Sequence, residues 1–594
     1  MLKKMFLILL AGAMCLCLFP VNVRADAMHY PTETVYYDPG LSYGGLHLIN
    51  QLNSYGTYLI DMDGRLVHKW MRPYNPAKSA ESVVYATVEE NGMLSREIKI
   101  AKPANVDPTI SNLISGVGAD GGLLEEVNWY GNVVRSWNTF TNQYYAHHRY
   151  ERMYNNKLKA WTYLFQCYEP HTAAEAVAMG ATGNVPSAGF ATESLYEFDY
   201  SGNIVWKWSL FDHITQGADP AKPNYALDGN VFNSKNRLDI NAVANTGRNV
   251  AQKDWHHSNS LGYDPKSGCI ALNSREYDEF WVVKHDATFV STTDWAANIA
   301  AAAGPDGDFA YRFGNPCLYN APDFTVSGTT QHARPSFGNN GATQIWGAHG
   351  VNWIQPTAWR NGPAMAYGAG NIMILDNHGC NNNPLGTYTQ LLEINPYVTG
   401  PYANGAYPTQ ASFKWPEDNV GYVKVATIGM GFGQINQSNQ VVWKFRPQND
   451  WGFSSAHISG AQRMANGNTI GTAGEAGHVI EVTRGTYTSS TSEANAGTSP
   501  QLAWEYQCPV YVKTLANGNK VNAFRKANDT AAMSEATQMF CSFRYSPNHP
   551  GLKNYVIQYS DGTIQPIQKQ PGVGFTLTGA VPCRNVPCNY VGAP

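Results

Sequence analysis

The sequence predicts an all-β chain folded as a six-bladed β-propeller with long inter-strand insertions. The composition gives the first reason, because Gly (55), Tyr (35) and Trp (16) are abundant and charged residues are only 14%. Strands with glycine turns and aromatic side chains on a pleated surface have this composition. A hairpin signature that recurs six times gives the second reason. The long segments between hairpins, rich in Gly, Ala, Asn and Pro, predict the insertions.

The recurring signature is an apolar strand, a turn with Gly or Asn, and a second strand that ends in an aromatic residue. The fourth copy is degenerate, and the fifth resumes after a long insertion. The six copies are residues 58–70, 123–137, 195–208, 280–286, 391–395 with 440–445, and 479–482 with 502–506. Repetition of one supersecondary unit favours a propeller. An irregular set of β-sandwiches is the alternative.

The insertions are predicted at about residues 172–190, 212–250, 291–340 and 397–437. Segments of this length inside a compact domain are usually functional or disordered. We expect these insertions to cover one face of the propeller. Helical content is predicted to be small, with one short helix over residues 294–303.

The N-terminus has the pattern of a signal peptide over residues 1–25. Lys3 and Lys4 precede an apolar run over residues 6–19, which is too short to span a membrane, and Ala25 completes a small-residue cleavage site. A lipoprotein is disfavoured because Met14 and Leu16 precede Cys15 and Cys17. We expect an exported protein, periplasmic or extracellular, with the propeller over 26–552 and a C-terminal extension over 553–594.

The remaining eight cysteines are an even number, which in an exported protein favours disulfides. They are Cys167, Cys269, Cys317, Cys380, Cys508, Cys541, Cys583 and Cys588. Only Cys583–Cys588 suggests a local pairing, and no Cys-x-x-Cys supports a metal site. The negative net charge gives no reason to expect nucleic acid as a partner, and no stable membrane insertion is expected. The oligomeric state is left open.

A second repeated unit places histidine before a strand. In a propeller, equivalent positions of successive blades face one channel, so we expect His148, His257 and His349 to converge, with Arg275 beside them. The arginine fork suits tetrahedral oxyanions, and histidine serves as nucleophile or acid–base group. A metal-binding ring is the alternative, but no local metal-ligand spacing supports it. Structural roles are expected for His29, His47, His68, His171, His213, His285 and His332.

The heptapeptide DWHHSNS at residues 254–260 with Arg275, and Asp376-Asn377 after His349, resemble the bacterial arylsulfate sulfotransferases. Residues 453–468 and 538–545 are similar to the wider family, and the resemblance runs from about residue 58 to 552. It implies an exported six-bladed propeller. It also implies PAPS-independent transfer of a sulfuryl group from an aryl sulfate donor to a phenolic acceptor, through a sulfated histidine and without a cofactor.

The resemblance assigns residues by position. It makes His349 the nucleophile and places His148, His257 and Arg275 around the sulfuryl oxygens, in a ping-pong mechanism. It adds Asn259 as a substrate-binding candidate, and His256 and His457, which stand in the repeated histidine units, are two further candidates. His256 is expected to lie behind the site. Unlike the best-known branch, only Cys317 lies shortly before the nucleophile, the turn after His148 is Tyr-Asn-Asn, and no extra β domain precedes Tyr58.

Two other functions stay open from sequence. One is a non-catalytic extracellular propeller that acts as a binding or surface-assembly protein, which the insertions and the low charge favour. The other is a quinoprotein-type dehydrogenase, for which no cofactor signature is present. If the histidines and Arg275 surround one open cavity, the enzyme is favoured; a plugged cavity favours binding.

Overall fold

The structure is a computed structural model, and it describes only part of the chain. The described residues are 33–78, 81–101, 106, 121–243, 250, 252–315, 318–319, 324–326, 329–331, 343–355, 368–379, 389–397, 413, 422–424, 436–438, 440–446, 453–485, 500–524, 537–546, 548–558, 564–566 and 589–592. The predicted signal peptide, His29 and His332, and Cys317, Cys380, Cys583 and Cys588 lie outside them, as does most of the predicted insertion at 397–437.

The described strands form a six-bladed β-propeller of antiparallel sheets, as predicted. The blades, each given from its inner strand outward, are as follows: blade 1, Phe543–Tyr545, Leu46–Asn50, Gly56–Ile60 and Leu66–Met71; blade 2, Ser82–Val88, Leu94–Lys99, Gly122–Val127 and Val133–Asn138; blade 3, Tyr145–Asn155, Ala160–His171, Phe190–Phe198 and Ile204–Ser209; blade 4, Ser258–Asp264, Cys269–Ser274, Glu279–Lys284 and Tyr311–Phe313; blade 5, His349–Trp353, Ile372–Asp376, Gln390–Ile394 and Val441–Phe445; blade 6, Ser459–Arg463, Thr469–Ala473, His478–Val482 and Leu502–Gln507. The inner strands of blades 3 to 6 contact one another in turn around the axis.

The two ends of the chain close the ring. The strand Thr34–Tyr37 pairs with the outer strand of blade 6, and Phe543–Tyr545 supplies the inner strand of blade 1. Arg544 is fully buried there, with Nη1 2.9 Å from Glu481 Oε2 of blade 6 and 3.0 Å from the Gly44 carbonyl oxygen. This buried ion pair joins blade 1 to blade 6, although Arg544 Nη2 has no hydrogen-bond partner among the described residues.

The predicted hairpins are the two outer strands of the blades, and the aromatic residue that ends each one has a structural reason. Trp70, Trp443 and Trp504 are fully buried. Their indole N–H groups donate to carbonyl oxygens of the following blade, at Asn128, Arg484 and Met62 respectively. Because a buried indole N–H needs an acceptor, each of these tryptophans forms a hydrogen bond that links its blade to the next.

Blade 4 departs from the simple hairpin. Its third strand is followed by the short helix His285–Thr288 and the helix Trp295–Ala303, before the outer strand Tyr311–Phe313 pairs back. The second helix confirms the prediction over 294–303 and begins at Asp294, whose side chain accepts a hydrogen bond from the Ala297 amide at 3.1 Å. A third helix, Ala173–Ala178, lies in the predicted insertion at 172–190.

Smaller elements complete the described residues. The remaining strands are Ile214–Thr215, Leu238–Asp239, Phe324–Val326, Thr329–Gln331, Tyr422–Lys424, Asn436–Ser438, Val510–Thr514, Lys520–Phe524, Tyr555–Gln558, Ile564–Pro566 and Asn589–Gly592, and the 3-10 helices are Pro76–Lys78, Leu210–His213, Leu227–Gly229, Val231–Ser234 and Pro305–Gly307. Within the described residues, no helix is long and apolar enough to cross a membrane.

The disulfide prediction is wrong for the cysteines of the blades. Cys167, Cys269 and Cys541 are free thiols in the interior, and Cys508 is buried as well. Burial raises the pKa of the Cys269 and Cys541 thiols to about 12, so both stay protonated. They pack as small apolar residues between strands, which an even cysteine count cannot reveal.

Candidate functional site

His349 is the first residue of the inner strand of blade 5, and its ring has a defined tautomer. Nδ1 lies 2.6 Å from Asn377 Oδ1 and 3.0 Å from the Gly347 carbonyl oxygen. The Asn377 amide nitrogen donates to the Ser455 carbonyl and to Ser459 Oγ, both at 2.8 Å, which turns Oδ1 toward His349. Both neighbours of Nδ1 are acceptors, so Nδ1 carries the proton and Nε2 keeps its lone pair.

The His349 ring is neutral. Burial lowers its pKa well below the ordinary value, and the charge of Arg275 lowers it further. The Ile458 amide donates to Nε2 at 3.2 Å, a long hydrogen bond that an incoming electrophile can displace. An unprotonated imidazole nitrogen on a buried ring is a competent nucleophile.

His148 and His257 come from the inner strands of blades 3 and 4 and meet beside His349. Their rings stand nearly perpendicular, with centroids 4.8 Å apart. Burial lowers the pKa of His148 well below the ordinary value, and the charges of His257, His147, His349 and Arg275 add to the effect. The predicted residues His148, His257, His349 and Arg275 are therefore close enough to interact electrostatically.

His257 and Arg275 form the more open side of this group, with side chains 18% and 26% exposed. The Arg275 amide donates to the His257 carbonyl oxygen at 3.3 Å, which keeps the two residues together. Asp254 Oδ2 lies 2.5 Å from His257 Nδ1, and this contact occupies Nδ1 and leaves Nε2 for other partners. Arg275 Nη1 bonds to Glu276, while its Nε is buried without an acceptor among the described residues. A guanidinium with an unused donor is suited to hold an anion.

The backbone enters several inner strands through a left-handed residue. These residues are His148 (φ 58°), His257 (φ 46°) and Ile458 (φ 44°), with Gly350 (φ 71°) in blade 5. His349 therefore stands one position before the left-handed residue, whereas His148 and His257 occupy it. The three rings meet, but the shared register that the sequence suggested holds only for two. A left-handed non-glycine residue costs roughly 1–2 kcal/mol, and such strain is concentrated at functional sites.

Residues 42–511 match the model of the family described as Arylsulfotransferase (ASST). The chain belongs to the arylsulfotransferase family. This membership supports an arylsulfotransferase-like function, with aryl sulfate and phenol as the class of substrates.

Comparison with solved structures gives matches of low similarity. They include a protein of unknown function from Bacteroides caccae (8% identity, TM-score 0.29, 85% of this chain and 100% of that chain) and a protein from Lactobacillus plantarum (9%, 0.32, 84% and 99%). Streptogramin B lyase is another (9%, 0.26, 83% and 93%). No curated protein matches the sequence.

Two residues that sequence analysis took as substrate-binding in this arylsulfotransferase are buried supports. Asn259 is fully buried and donates to the Ala348 carbonyl oxygen at 2.8 Å, so it positions the residue before His349. His256 packs against Trp255, with ring centroids 4.1 Å apart, and burial lowers its pKa to about 3. In this structure the Asn259 amide is engaged by the Ala348 backbone and the His256 ring by Trp255, so we assign both to positioning.

His457, the third candidate, is a different case. Its side chain is 46% exposed, and Nδ1 lies 3.6 Å from Glu475 Oε1. Its neighbour His378 was missed by sequence analysis. Burial lowers the pKa of His378, as do the charges of Arg275 and His457, so it lies within electrostatic range of both groups. It directly follows Asp376-Asn377, which was the available signal.

A small cavity of about 30 Å³ lies between the inner strands, further along from the histidines. It is lined by residues of five blades and has a mixed polar and apolar wall. The lining residues are Arg149, Glu151, Gly262, Asn352, Trp353, Gln355, Ala461, Gln462 and Phe543. His148, His257, His349 and Arg275 are not among its lining residues, so this cavity is separate from the histidine group. Within the described residues, no group of three or more His, Cys, Asp and Glu side chains is placed to hold a metal ion.

Proposed function

We propose that this arylsulfotransferase is an exported enzyme that transfers a sulfuryl group from an aryl sulfate to a phenolic acceptor through a sulfated His349, without a nucleotide sulfate donor. One observation carries the proposal. The Asn377 side chain fixes the Nδ1 proton of His349, and burial together with the charges of Arg275 and His257 lowers the pKa of its ring, so Nε2 keeps its lone pair. The pattern of residues 1–25 supports export.

In the first half-reaction, the His349 Nε2 lone pair attacks sulfur in line with the departing oxygen. The S–O bond to the aryl group breaks as the N–S bond forms, and the ring becomes a cationic sulfo-imidazole. Its Nδ1–H stays bonded to Asn377 Oδ1, which disperses the new charge. The leaving phenolate takes a proton from a neighbouring histidine.

In the second half-reaction, a phenol enters after the first product has left. It gives its proton to the same histidine, and its oxygen attacks the sulfur of sulfo-His349. The N–S bond breaks and neutral His349 is restored, so one site serves both substrates in turn. Neither half-reaction requires a cofactor.

Arg275 and the paired histidines stabilise the charge that spreads over the sulfuryl oxygens. Arg275 keeps a buried Nε donor for this purpose, and His257 presents Nε2 because Asp254 binds its Nδ1. Such pre-positioned donors commonly account for about 10²–10³-fold in rate each.

The test is a donor–acceptor screen with purified wild-type protein, using a chromogenic aryl sulfate and a panel of phenols. Wild type should release the first phenol and form the second aryl sulfate, while His349→Ala should be inactive and folded. His171→Ala is the control, because its ring stacks on Phe211 in blade 3 and it is expected to stay active. Saturable binding of aryl sulfates without transfer by wild type would favour the binding protein.

A further inference from the structure

A chain of three buried groups leads away from the candidate site. His147 Nδ1 lies 2.6 Å from His148 Nδ1. His147 Nε2 lies 3.3 Å from Glu193 Oε1 without hydrogen-bond geometry, and neither of these two atoms has a hydrogen-bond partner among the described residues. All three residues are at most 2% exposed. The His147 ring stacks on Tyr168 with centroids 3.6 Å apart, which fixes its plane between the two partners. None of this is needed to hold the sulfuryl group.

We propose that Glu193 and His147 form a proton relay behind His148, which stores the proton of the reaction between the two half-reactions. The proposal rests on the proposed function and names the histidine that serves as acid and base. His148 touches the reacting groups, and His147 and Glu193 act through it.

The geometry allows two consistent proton arrangements. Only one of the two facing Nδ1 atoms can donate. If His147 Nδ1–H donates, His148 carries its single ring proton on Nε2, and a small rotation of the Glu193 carboxyl lets His147 Nε2 accept its proton. If His148 Nδ1–H donates, the His147 proton lies on Nε2 and Glu193 is ionised. His148 Nε2 then carries no proton.

The resting protein has the first arrangement. Burial raises the pKa of Glu193 well above the ordinary value, and the nearby charge of Asp254 raises it further. Burial keeps His147 and His148 neutral, and the charges around them come from Asp254, His257 and Arg275. A neutral carboxyl group next to two neutral imidazoles needs no counter-ion.

The relay accounts for the proton in both half-reactions. In the first half-reaction, His148 Nε2 gives its proton to the leaving phenolate, His147 Nδ1–H moves to His148, and the Glu193 proton moves to His147 Nε2. Glu193 becomes a carboxylate, and sulfo-His349 is a zwitterion with a cationic ring and an anionic sulfo group. The site therefore keeps the single negative charge that the aryl sulfate brought in, while the phenol leaves neutral. When the acceptor phenol reacts, its proton enters at His148 Nε2 and the other two return.

The competing acid is His257, because Asp254 Oδ2 lies 2.5 Å from its Nδ1. A series of aryl sulfate donors whose leaving phenols differ in pKa distinguishes the relay behind His148 from the Asp254–His257 pair. Good leaving groups depart without a proton, whereas poor ones need an acid. Glu193→Gln keeps a donor to His147 but cannot release a proton.

For Glu193→Gln and His147→Phe, we expect transfer from donors with poor leaving groups to fall by about 10²-fold, with a much smaller loss for 4-nitrophenyl sulfate. The dependence of the rate on leaving-group pKa should therefore become steeper. Glu97→Gln is the matched control, since Glu97 is a carboxyl in blade 2 whose pKa burial raises to about 8. The relay would be overturned if the dependence of the rate on leaving-group pKa became steeper in Asp254→Asn and stayed as in wild type in Glu193→Gln.

A second readout does not depend on turnover. Nitrogen NMR of histidine-labelled protein reports the tautomer of each neutral ring. We expect His148 protonated on Nε2 and His147 on Nδ1 in wild type and Glu193→Gln, with the His148 pattern lost in His147→Phe. His148 protonated on Nδ1 in resting wild type overturns the relay. If wild type transfers nothing but shows the expected tautomers, the proposed function fails and the proton arrangement stands.

Discussion

Asn377 Oδ1 lies 2.6 Å from His349 Nδ1, and this contact determines which nitrogen of His349 can act as a nucleophile. The amide is itself fixed by two donated hydrogen bonds, to the Ser455 carbonyl oxygen and Ser459 Oγ of blade 6. The tautomer of a blade 5 residue is thus set through the neighbouring blade.

Replacement of Asn377 by alanine should lower kcat for transfer by about 10²-fold, because the ring loses its fixed tautomer and the partner for its developing charge. Asn371→Ala is the matched control, since this buried asparagine flanks the other end of the same strand and bonds to Glu393 at 2.7 Å. Both variants lose comparable stability, and only Asn377→Ala should lose kcat. Equal kcat in the two variants would contradict the assigned role.

The acid limb of the rate profile should lie well below pH 6.5, since burial and Arg275 lower the pKa of His349. The neutral ring is the nucleophile, so activity persists as the solution becomes moderately acidic. Arg275→Met removes the cation, raises the pKa of His349 and should move the acid limb of kcat/KM to higher pH. Arg135→Met, at a half-exposed arginine of blade 2, is the control and should leave the limb in place. An Arg275→Met limb at the wild-type position argues against electrostatic contact with His349.

Gly350 makes the turn after His349 possible. It has φ of +71°, and a Cβ there would lie 2.7 Å from Gly460 Cα of blade 6. Gly350→Ala should destabilise the protein by more than the roughly 1–2 kcal/mol that the left-handed backbone alone costs. Gly131→Ala is the matched control, because φ is +85° but nothing lies within 4 Å of the added Cβ. Denaturation midpoints of the two variants measure the difference, and equal losses would mean that blades 5 and 6 separate easily.

The propeller could be predicted because its evidence is local: alternation, glycine turns and the terminal tryptophans are properties of each hairpin. Blade 4 shows the limit, since the partner of Glu279–Lys284 comes only after two helices. The converging histidines followed from the repeat. Asn377's contact with His349 and the pairing of His147 with Glu193 did not, because each joins strands distant in sequence. The free thiols were mispredicted because composition cannot separate a buried cysteine from a paired one.

His285 predicts how stability depends on pH. Burial alone would lower its pKa, but Glu197 and Asp286, each 2.8 Å from a ring nitrogen, overcome this and raise the pKa to about 9. The folded pKa exceeds the unfolded one, so the contribution is complete below about pH 6.5 and is lost as pH rises through about 9. The shift corresponds to about 3 kcal/mol at most.

His285→Gln should therefore have a lower free energy of unfolding than wild type at pH 6. The difference between the two proteins should become smaller by pH 10. Urea denaturation of both proteins across this range checks the direction. His68→Gln serves as the control, because burial lowers the pKa of His68 to about 3 and its ring stays neutral throughout the range. A gap that widens with pH would mean that His285 is neutral in the folded protein.

The most direct measurement of the central claim is to trap the intermediate. Wild-type protein is mixed with an aryl sulfate in the absence of acceptor, quenched in alkali and digested, and the peptide that contains His349 is examined by mass spectrometry. We predict one added sulfuryl group on His349, released when a phenol is supplied, and none in His349→Asn. Transfer activity with an unmodified His349, or with the sulfuryl group on another residue, would contradict the account.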